Sequence, residues 1–342
     1  MTLNIRARIK EVAATAGVSV ATVSRVVNGK DSVREVTRRR VQKVIDELKY
    51  QPNLAASELK SGHSSFIGVV VPSVHNMFFG EVIEGIEDYL RQDVYSLLLN
   101  CAQNDPKREE DCIRALVNRG VSGIIVISPN THNINENFYC EVVKQVPLVF
   151  INGYYHIPGA CYVTNDEALG TEEALRHLFE FGHKKILFVR GTNSDSYEIK
   201  EITYRRVMKD KIDEIEKYIV NIGEGNGVHT VENTAYILEM FLRGSDATAI
   251  FCCNDLMGVG AINAVKRIDK KVPQDYSIIG FDNISISHFI EPRLTTMDQN
   301  MLQLGKNAAN VLIDRINGGE VKRLTLYNSL IERDSTGRLI KN

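Results

Sequence analysis

Apolar residues in the first fifty positions recur every three or four residues, a spacing typical of short amphipathic helices. Polar and charged residues occupy the positions between them. The apolar positions are Ile9, Val12 and Ala13, then Val20, Val23, Val26 and Val27, then Val41, Val44, Ile45 and Leu48. This pattern predicts three short helices around a small core.

The junction between the first two helices predicts a tight turn. Gly17 adopts a left-handed conformation without steric cost, and Ser19 is a favoured N-cap for the helix that follows. Two short helices joined by such a turn, with a third packed against them, form a helix-turn-helix. The sequence therefore predicts a small all-α head.

From residue 65 onward the pattern changes to continuous apolar runs that alternate with helical stretches. Such runs are typical of parallel sheets covered on both faces by helices. Eight runs fall into two sets of four, at residues 66–72, 95–100, 123–128 and 147–152, and at residues 185–190, 218–223, 249–254 and 277–282. The pattern predicts an α/β body of two doubly wound parallel-sheet lobes.

Charge is distributed unevenly between these two regions. Residues 1–62 contain twelve Lys and Arg against six Asp and Glu, whereas the rest of the chain contains 29 against 37. A basic head on an acidic body indicates that the head binds a polyanion and the body does not.

Composition limits the classes of protein to consider. The chain of 342 residues is long enough for two or three domains. No apolar run reaches the roughly 18 residues of a membrane span, and the first residues contain no signal-peptide core. The six cysteines show no CxxC spacing, which favours reduced, mostly buried thiols over disulfides or a metal site. We therefore expect a cytoplasmic protein without a metal or a cofactor.

The second helix carries short polar residues on its outer face, as a helix in the major groove of DNA requires. Ala21 is small enough to touch a thymine methyl group, and Arg25 has the fork that binds guanine. Thr22, Ser24 and Asn28 are candidates for binding phosphate oxygens. The alternative is a three-helix bundle with a solvated face, although such faces are usually rich in Glu and Lys.

Two segments, IKEVAATAGVSVATVSRVVNG and VTRRRVQKVIDELKYQPN, resemble the DNA-binding head of the lactose-repressor (LacI/GalR) family of bacterial transcription regulators. The resemblance implies that Val20, Ala21 and Arg25 read bases beside the turn serine, Ser19, which we include among the DNA-binding residues. A short apolar residue followed by Ala is similar to members whose operators are palindromes around a central CG step. We therefore expect double-stranded operator DNA of this kind as the partner.

Residues 52–64 resemble the hinge of that family, which folds into a helix only on operator DNA. The resemblance implies that Asn53, Ala56 and Leu59 contact DNA, with Leu59 wedged into the minor groove at the centre of the site. Glu58 departs from the family pattern because it places a negative charge close to phosphate. The alternative is a linker in which Leu59 has no role.

Polar side chains follow directly on several apolar runs of the body. Asn152, Arg190, Asn254, Asp255 and Asp282 stand at the carboxyl ends of predicted parallel strands, where such sheets bind ligands. Amides and carboxylates suit ligand hydroxyl groups, and two facing lobes form a cleft that closes by hinge motion. The alternative is that each residue only caps the helix that follows it.

The family resemblance extends through the body, which is similar to periplasmic sugar-binding proteins. It implies an effector site formed by Phe78, Phe79, Asn152, Asn254 and Asp282. Lys200 aligns with an arginine that grips the ligand in the family, and lysine lacks the bidentate fork of arginine.

The resemblance also implies domain limits and a homodimer. The head spans residues 1–51, the hinge 52–64 and the body 65–342. The first lobe is expected at residues 65–165 and 298–327, and the second at residues 166–297 and 328–342. Two heads on a palindrome read enough base pairs for discrimination, which a single short helix does not.

Together these observations predict a homodimeric transcription regulator, a repressor controlled by a sugar or sugar derivative. One alternative is a regulator with a vestigial cleft that a partner protein controls, and another is a cytosolic solute-binding protein. An enzyme on a doubly wound fold is disfavoured, because the sequence has no P-loop, GxSxG or HExxH motif and no GxGxxG between a strand and a helix.

Overall fold

The structure is a computed structural model that describes residues 7–27, 32–50, 64–92 and 95–339. The chain divides into two compact units, Met1–Ser64 and Ser65–Asn342. The first unit is helical and the second combines helices with parallel sheets, so the predicted fold class is confirmed. Within the described ranges, no helix is long and apolar enough to cross a membrane.

The helices of the first unit are α1 (Ile9–Ala16), α2 (Val20–Val27) and α3 (Glu35–Glu47). Their apolar stripes form one core, whose buried members are Val12, Ala13, Ala16, Val23, Val26, Val41 and Val44. Gly17 ends α1 with a φ of 63°, as expected for the left-handed turn residue. The predicted helix-turn-helix is therefore present.

The first lobe of the second unit is built on an all-parallel sheet. Its described strands are β1 (Phe66–Val71), β2 (Ser96–Cys101), β3 (Gly123–Ile127), β4 (Leu148–Ile151), β5 (Cys161–Asn165) and β11 (Arg323–Leu326). They lie in the order β11-β5-β4-β3-β1-β2. The inner strands β1, β3 and β4 are almost entirely buried, which explains their continuous apolar runs.

The second lobe repeats this arrangement. Its described strands are β6 (Ile186–Arg190), β7 (Ile219–Asn221), β8 (Ala249–Cys252), β9 (Ser277–Asp282), β10 (Thr295–Asp298) and β12 (Ser329–Ile331). They lie in the order β12-β10-β9-β8-β6-β7, and β12 runs antiparallel to β10 at the edge. The eight predicted strands are β1–β4 and β6–β9, whereas β5, β10, β11 and β12 lie outside the eight predicted runs.

Helices cover the sheets of both lobes. In the first lobe they are α4 (Met77–Leu90), α5 (Pro106–Asn118), α6 (Thr131–Asn135), α7 (Phe138–Val142) and α13 (Met301–Ile316). In the second they are α8 (Glu167–Glu180), α9 (Asp195–Met208), α10 (Thr230–Leu242), α11 (Asp255–Arg267) and α12 (Ile286–Phe289). Because β11 and α13 return to the first lobe after β10, the chain crosses between the lobes more than once.

Two glycines let α4 and α13 cross at close range. A Cβ at Gly85 would lie 2.1 Å from the carbonyl oxygen of Leu302, and one at Gly305 would lie 2.1 Å from that of Val82. No larger residue fits at either position without a backbone shift. This crossing fixes α4, whose first turn faces the space between the lobes.

The lobes also share an apolar contact. Leu256 at the start of α11 and Ile284 after β9 belong to the second lobe, yet they pack in the same buried cluster as Phe79 and Val82 of α4. Leu256 and Ile284 are 6% and 0% exposed, so solvent is excluded from this side of the cleft. The contact holds the lobes together in the closed arrangement described below.

Candidate functional site

The second helix of the head begins at a capped turn. The Oγ of Ser19 accepts a hydrogen bond from the Thr22 N–H at 3.2 Å, and the two hydroxyl oxygens are 2.9 Å apart. Ser19 is therefore the N-cap of α2, as predicted. Its hydroxyl and that of Thr22 are already engaged with each other.

One side of α2 packs in the core and the other faces solvent. Val23 and Val26 are buried, whereas Val20 is 40% exposed and Ala21 and Arg25 are also exposed. Thr22 and Ser24 are half-buried at the edge of this face. The exposed surface of α2 thus combines small side chains with one long cation, which is the composition that close approach to base edges requires.

Asn28, Asn53, Ala56 and Leu59 lie outside the described residues, and so does most of the predicted hinge. Their roles remain predictions from the sequence.

In the body, the predicted effector residues surround one small cavity between the lobes. Phe78, Phe79 and Asn152 line it from the first lobe, and Lys200, Asn254 and Asp282 line it from the second. The rest of the lining is Asn76, Ser128, Ser194, Ser196, Tyr197, Asn226, Cys253 and Gln299. The cavity has a volume of about 30 Å³, enough for only one or two water molecules. The cleft is therefore closed, and a larger ligand enters only when the lobes separate.

Gln299 links polar residues of the two lobes across the cleft. Its Oε1 accepts hydrogen bonds from the Nδ2 of Asn152 at 3.2 Å and the Nδ2 of Asn165 at 2.8 Å. Its Nε2 donates to the Oδ1 of Asp282 at 2.6 Å. Gln299 follows β10, where the chain passes from the second lobe to the first, so the link lies at a crossing point.

Asp282 is a buried carboxyl group at the end of β9. It is 4% exposed, and its φ of 126° is unusual for a residue other than glycine. Burial, and then the nearby Asp255 carboxylate, raises the pKa of Asp282 well above its usual range. A carboxyl group that keeps its proton both accepts and donates hydrogen bonds, so it suits a ligand hydroxyl group, which does the same.

Two asparagines cap helices that begin at the cavity. The Oδ1 of Asn76 accepts from the Phe78 N–H at 3.0 Å, and the Oδ1 of Asn254 accepts from the Met257 N–H at 2.9 Å. Their Nδ2 groups remain available for other contacts: that of Asn76 donates to Asn226 at 3.0 Å and that of Asn254 to the carbonyl of Gly225 at 2.8 Å. Asn254 therefore caps a helix and also lines the cavity.

Further contacts join the lobes beside the cavity. The Nδ2 of Asn104 in the first lobe donates to the Oε1 of Glu224 in the second lobe at 2.8 Å. The Tyr154 N–H of the first lobe donates to the Oδ2 of Asp195 at 3.4 Å. The other oxygen of Asp195 is buried without a hydrogen bond, and burial raises the pKa of this carboxyl to about 7.

Lys200 lines the cavity but its charge is already paired. Its Nζ lies 2.6 Å from the Oε2 of Glu167, and both side chains are almost fully buried, with exposures of 1% and 0%. The Nζ also donates to the Oγ of Ser196 at 2.6 Å and lies 4.0 Å from the centre of the Phe281 ring. The position that aligns with the ligand-gripping arginine thus holds an internal ion pair.

Arg190 and Asp255, which also follow predicted strands, do not line the cavity. Arg190 forms an ion pair with Glu201 and donates to the Gly191 carbonyl at 2.8 Å. Asp255 accepts from the Thr296 hydroxyl and, at 2.9 Å, from the Ile284 N–H. These two residues brace the loops around the cleft.

Sequence reasoning missed eight of the lining residues given above, among them Gln299, and it also missed Glu167, which pairs with Lys200 behind the lining. Gln299 follows β10 and Glu167 follows β5, and neither strand was predicted. The signal that identified Asn152 and Asp282, a polar residue after a strand, applies to both residues once those strands are known.

The cysteines and acidic groups give no sign of a metal centre in the part of the chain that the structure describes. Cys161, Cys252 and Cys253 are buried free thiols, and Cys101, Cys112 and Cys140 are half-buried free thiols. No group of three or more His, Cys, Asp or Glu in those ranges has the geometry to hold a metal ion.

Comparisons with known proteins agree with both regions. Residues 8–53 match "Bacterial regulatory proteins, lacI family", and residues 175–336 match "Periplasmic binding protein-like domain". The HTH-type transcriptional repressor PurR of Vibrio atlanticus (strain LGP32) is 33% identical over 340 residues, which cover 97% of this chain and 99% of that protein.

Solved structures agree as well. The lac repressor dimer bound to operator and the anti-inducer ONPF superposes with a TM-score of 0.86 at 25% identity, over 97% of this chain and 99% of that one. A LacI family regulator from Enterococcus faecium with bound ribose superposes with a TM-score of 0.68 at 29% identity, over 80% of this chain and 100% of that one. The chain therefore belongs to the lacI family of bacterial regulatory proteins, and it is a DNA-binding regulator of transcription.

Proposed function

We propose that the protein is a homodimeric repressor that binds a palindromic operator and responds to an uncharged carbohydrate in the interlobe cleft. The head, residues 1–51, reads DNA, and residues 52–64 connect it to the body. The observation that carries the proposal is the convergence of six predicted effector residues on one small cavity between the lobes of the body. The head independently presents a capped helix with a solvent-exposed face.

The exposed face of α2 supports sequence-specific DNA binding. Val20 and Ala21 are short enough for close contact with bases, and Arg25 is free of any resolved ion pair within the described residues. The related PurR is a transcriptional repressor, and the lac repressor structure contains operator DNA. Repression is the corresponding role for this chain.

The chemistry of the cleft supports a polyhydroxylated ligand. Its polar lining consists mainly of amides, hydroxyls and one carboxyl group, which match sugar hydroxyls, while Phe78 and Phe79 offer apolar faces to a sugar ring. The two phenyl rings meet edge to face at 5.4 Å. The Enterococcus faecium relative contains ribose, which is a ligand of this class.

Exposed apolar side chains of the second lobe support a dimer. Tyr236 and Met240 lie one turn apart on α10 and are 62% and 65% exposed, and Phe289 at the end of α12 is 83% exposed. Side chains of this size are enriched in protein interfaces. A dimer that buries them would hold two heads for two operator half-sites.

Ligand control follows from a difference in affinity between two arrangements of the lobes. A ligand that fills the cleft and bridges Asn152 with Asp282 takes the place of Gln299 in linking the lobes. The relative populations of these arrangements then change by as much as the ligand's affinities for them differ. The connecting segments transmit that change to the heads.

Selection of bound duplexes from a random pool tests the proposal. The purified full chain should enrich a palindrome with a central CG step, and sedimentation should show a dimer that the Met240→Glu variant weakens. Enrichment of an asymmetric site, or of no site, would contradict the proposed mode of binding.

A thermal-shift screen with neutral sugars tests the effector. A sugar that binds the native protein should raise the midpoint of unfolding and change operator affinity. Binding without any change in operator affinity would favour a protein partner as the controlling signal.

A further inference from the structure

The ion pair between Lys200 and Glu167 lies directly behind the surface of the cavity. Lys200 and Ser196 line the cavity, whereas Glu167 does not. The three side chains form a closed set, because Lys200 donates to Ser196 and forms an ion pair with Glu167, and Ser196 donates to the Oε1 of Glu167 at 3.0 Å. Glu167 therefore neutralises Lys200 on the side away from the ligand.

The ammonium group of Lys200 has little capacity left for a ligand anion. Its three nearest partners are the Ser196 hydroxyl, the Glu167 carboxylate and the face of the Phe281 ring. Lys200 is also the only cationic side chain among the described residues that line the cavity. A phosphate or carboxylate ligand would need an unpaired cation to replace the water it loses on binding.

Acidic groups around the cleft add no attraction for an anion. Asp282 faces the cavity with a carboxyl group, and burial raises its pKa and so favours its uncharged form, which supplies no positive charge to replace the hydration of an anion. Asp195 and Asp255 occupy the first positions of α9 and α11, where carboxylates offset the partial positive charge of a helix N-terminus. The helix ends at the cavity thus offer weak attraction for an anion.

We propose that Glu167 is a positioning residue that sets the charge selectivity of the cleft: by pairing with Lys200, it restricts the site to uncharged ligands and excludes phosphorylated or carboxylated ones. The inference rests on the proposed function, in that it concerns the same ligand site. Glu167 is thus the residue that determines which class of sugar derivative binds in the cleft.

The test compares inorganic phosphate binding by the full-length wild type and two variants at constant ionic strength. Glu167→Gln keeps the shape of the side chain and leaves Lys200 without its counter-charge. Glu167→Gln/Lys200→Gln removes both charges together. Every variant has the same basic head, so phosphate bound at the head contributes equally to the measured binding of each. Differences in phosphate affinity between the variants therefore arise in the cleft.

The expected result is a gain of anion binding in the single variant alone. Glu167→Gln should bind phosphate about tenfold to a hundredfold more tightly than the wild type, the range of a charge-assisted hydrogen bond. The double variant should match the wild type. The matched control is Glu172→Gln, which removes an exposed carboxylate from the same helix and should gain nothing.

Ribose 5-phosphate and D-ribose form a second pair of probes that differ in charge. The phosphorylated sugar should bind more tightly to Glu167→Gln than to the wild type, while the neutral sugar should show no such preference. A folded Glu167→Gln variant that binds phosphate no better than the wild type overturns the inference.

If Glu167→Gln does not fold, comparison of phosphate binding by the wild type and by the double variant tests the inference. Phosphate binding to the wild type that exceeds binding to the double variant would show that Lys200 acts as a free cation, which overturns the inference; equal binding supports it. If no neutral sugar binds any variant but Glu167→Gln gains phosphate binding, the carbohydrate effector is wrong while the role of Glu167 stands.

Discussion

The reading helix of the head and the cleft of the body both depend on short polar side chains, but solvent reaches only the first set. Ala21 and Arg25 are exposed on α2, whereas Asn152, Asn254 and Asp282 are 3% to 4% exposed. The exposed residues are available to a partner as they stand. Asn152 and Asp282 are bonded to Gln299, and Asn254 is bonded to the Met257 N–H and the Gly225 carbonyl. A ligand must replace such bonds.

This difference determines how mutations act in the two regions. Substitution of a residue on the exposed face changes what the protein binds and has little effect on the free energy of unfolding. A residue in the buried network changes stability and ligand response together, because its removal leaves a partner unsatisfied. The following predictions test that separation, from the largest expected effect to the smallest.

The largest effect is expected for Lys200→Met. This change leaves the Glu167 carboxylate buried without a counter-charge, which should lower the free energy of unfolding by about 3–5 kcal/mol. Urea denaturation measures it. The matched control is Arg206→Met, which removes an exposed ion pair with Glu172 and should lower the free energy of unfolding by less than about 1 kcal/mol. Equal losses for the two variants would show that the buried pair has no special role.

A pH dependence is expected from Asp195 at the contact between the lobes. Its pKa is raised from 3.8 to about 7, so the folded protein holds this proton more tightly than the unfolded chain. Its contribution to stability should therefore fall as the pH rises from about 4 to 7. Asp195→Asn should remove that loss. Its free energy of unfolding minus that of the wild type should be larger at pH 8 than at pH 4, by about 2–4 kcal/mol. A difference that does not vary with pH would contradict the raised pKa.

On the exposed side, Arg25→Ala should weaken operator binding by about 1–3 kcal/mol, because a guanine contact is lost. Binding to random duplexes should change less, and the thermal midpoint of unfolding should not change. Fluorescence anisotropy on both duplexes measures the first two quantities. Equal losses on both duplexes would indicate a phosphate contact instead.

The smallest effect is expected for Asn104→Ala, which removes one hydrogen bond between the lobes. Loss of the contact with Glu224 should strengthen ligand binding by about threefold, because the closed arrangement, whose cavity is too small for a sugar, becomes less populated. The control is Asn310→Ala, which removes a hydrogen bond to Tyr89 within the first lobe. If the control strengthens ligand binding as much, the bond between the lobes does not favour closure.

The sequence predicted the cleft because the geometry of parallel sheets is regular. Carboxyl ends of neighbouring strands meet at one edge, so residues such as Asn152 and Asp282 converge without any knowledge of the loops. The strands that it missed are short and of mixed polarity, as in Cys161–Asn165 and Thr295–Asp298, and their apolar signal is weak.

The partner of Lys200 was beyond sequence reasoning for a different reason. Alignment gives the position of a residue but not what packs against it. Glu167 begins α8 and Lys200 lies in α9, and only the packing of these two helices brings their charges to 2.6 Å. The sequence could therefore show that lysine replaces arginine but not that a carboxylate neutralises it.

The most direct test of the account measures operator affinity with and without a bound sugar for Arg25→Ala and Asp282→Ala, using the neutral sugar that most stabilises the wild type. Arg25→Ala should bind operator less tightly and still respond to the sugar, while Asp282→Ala should bind operator as the wild type does and no longer respond. Loss of operator binding and of the response together in Asp282→Ala would contradict the separation of an exposed reading surface from a buried sensing site.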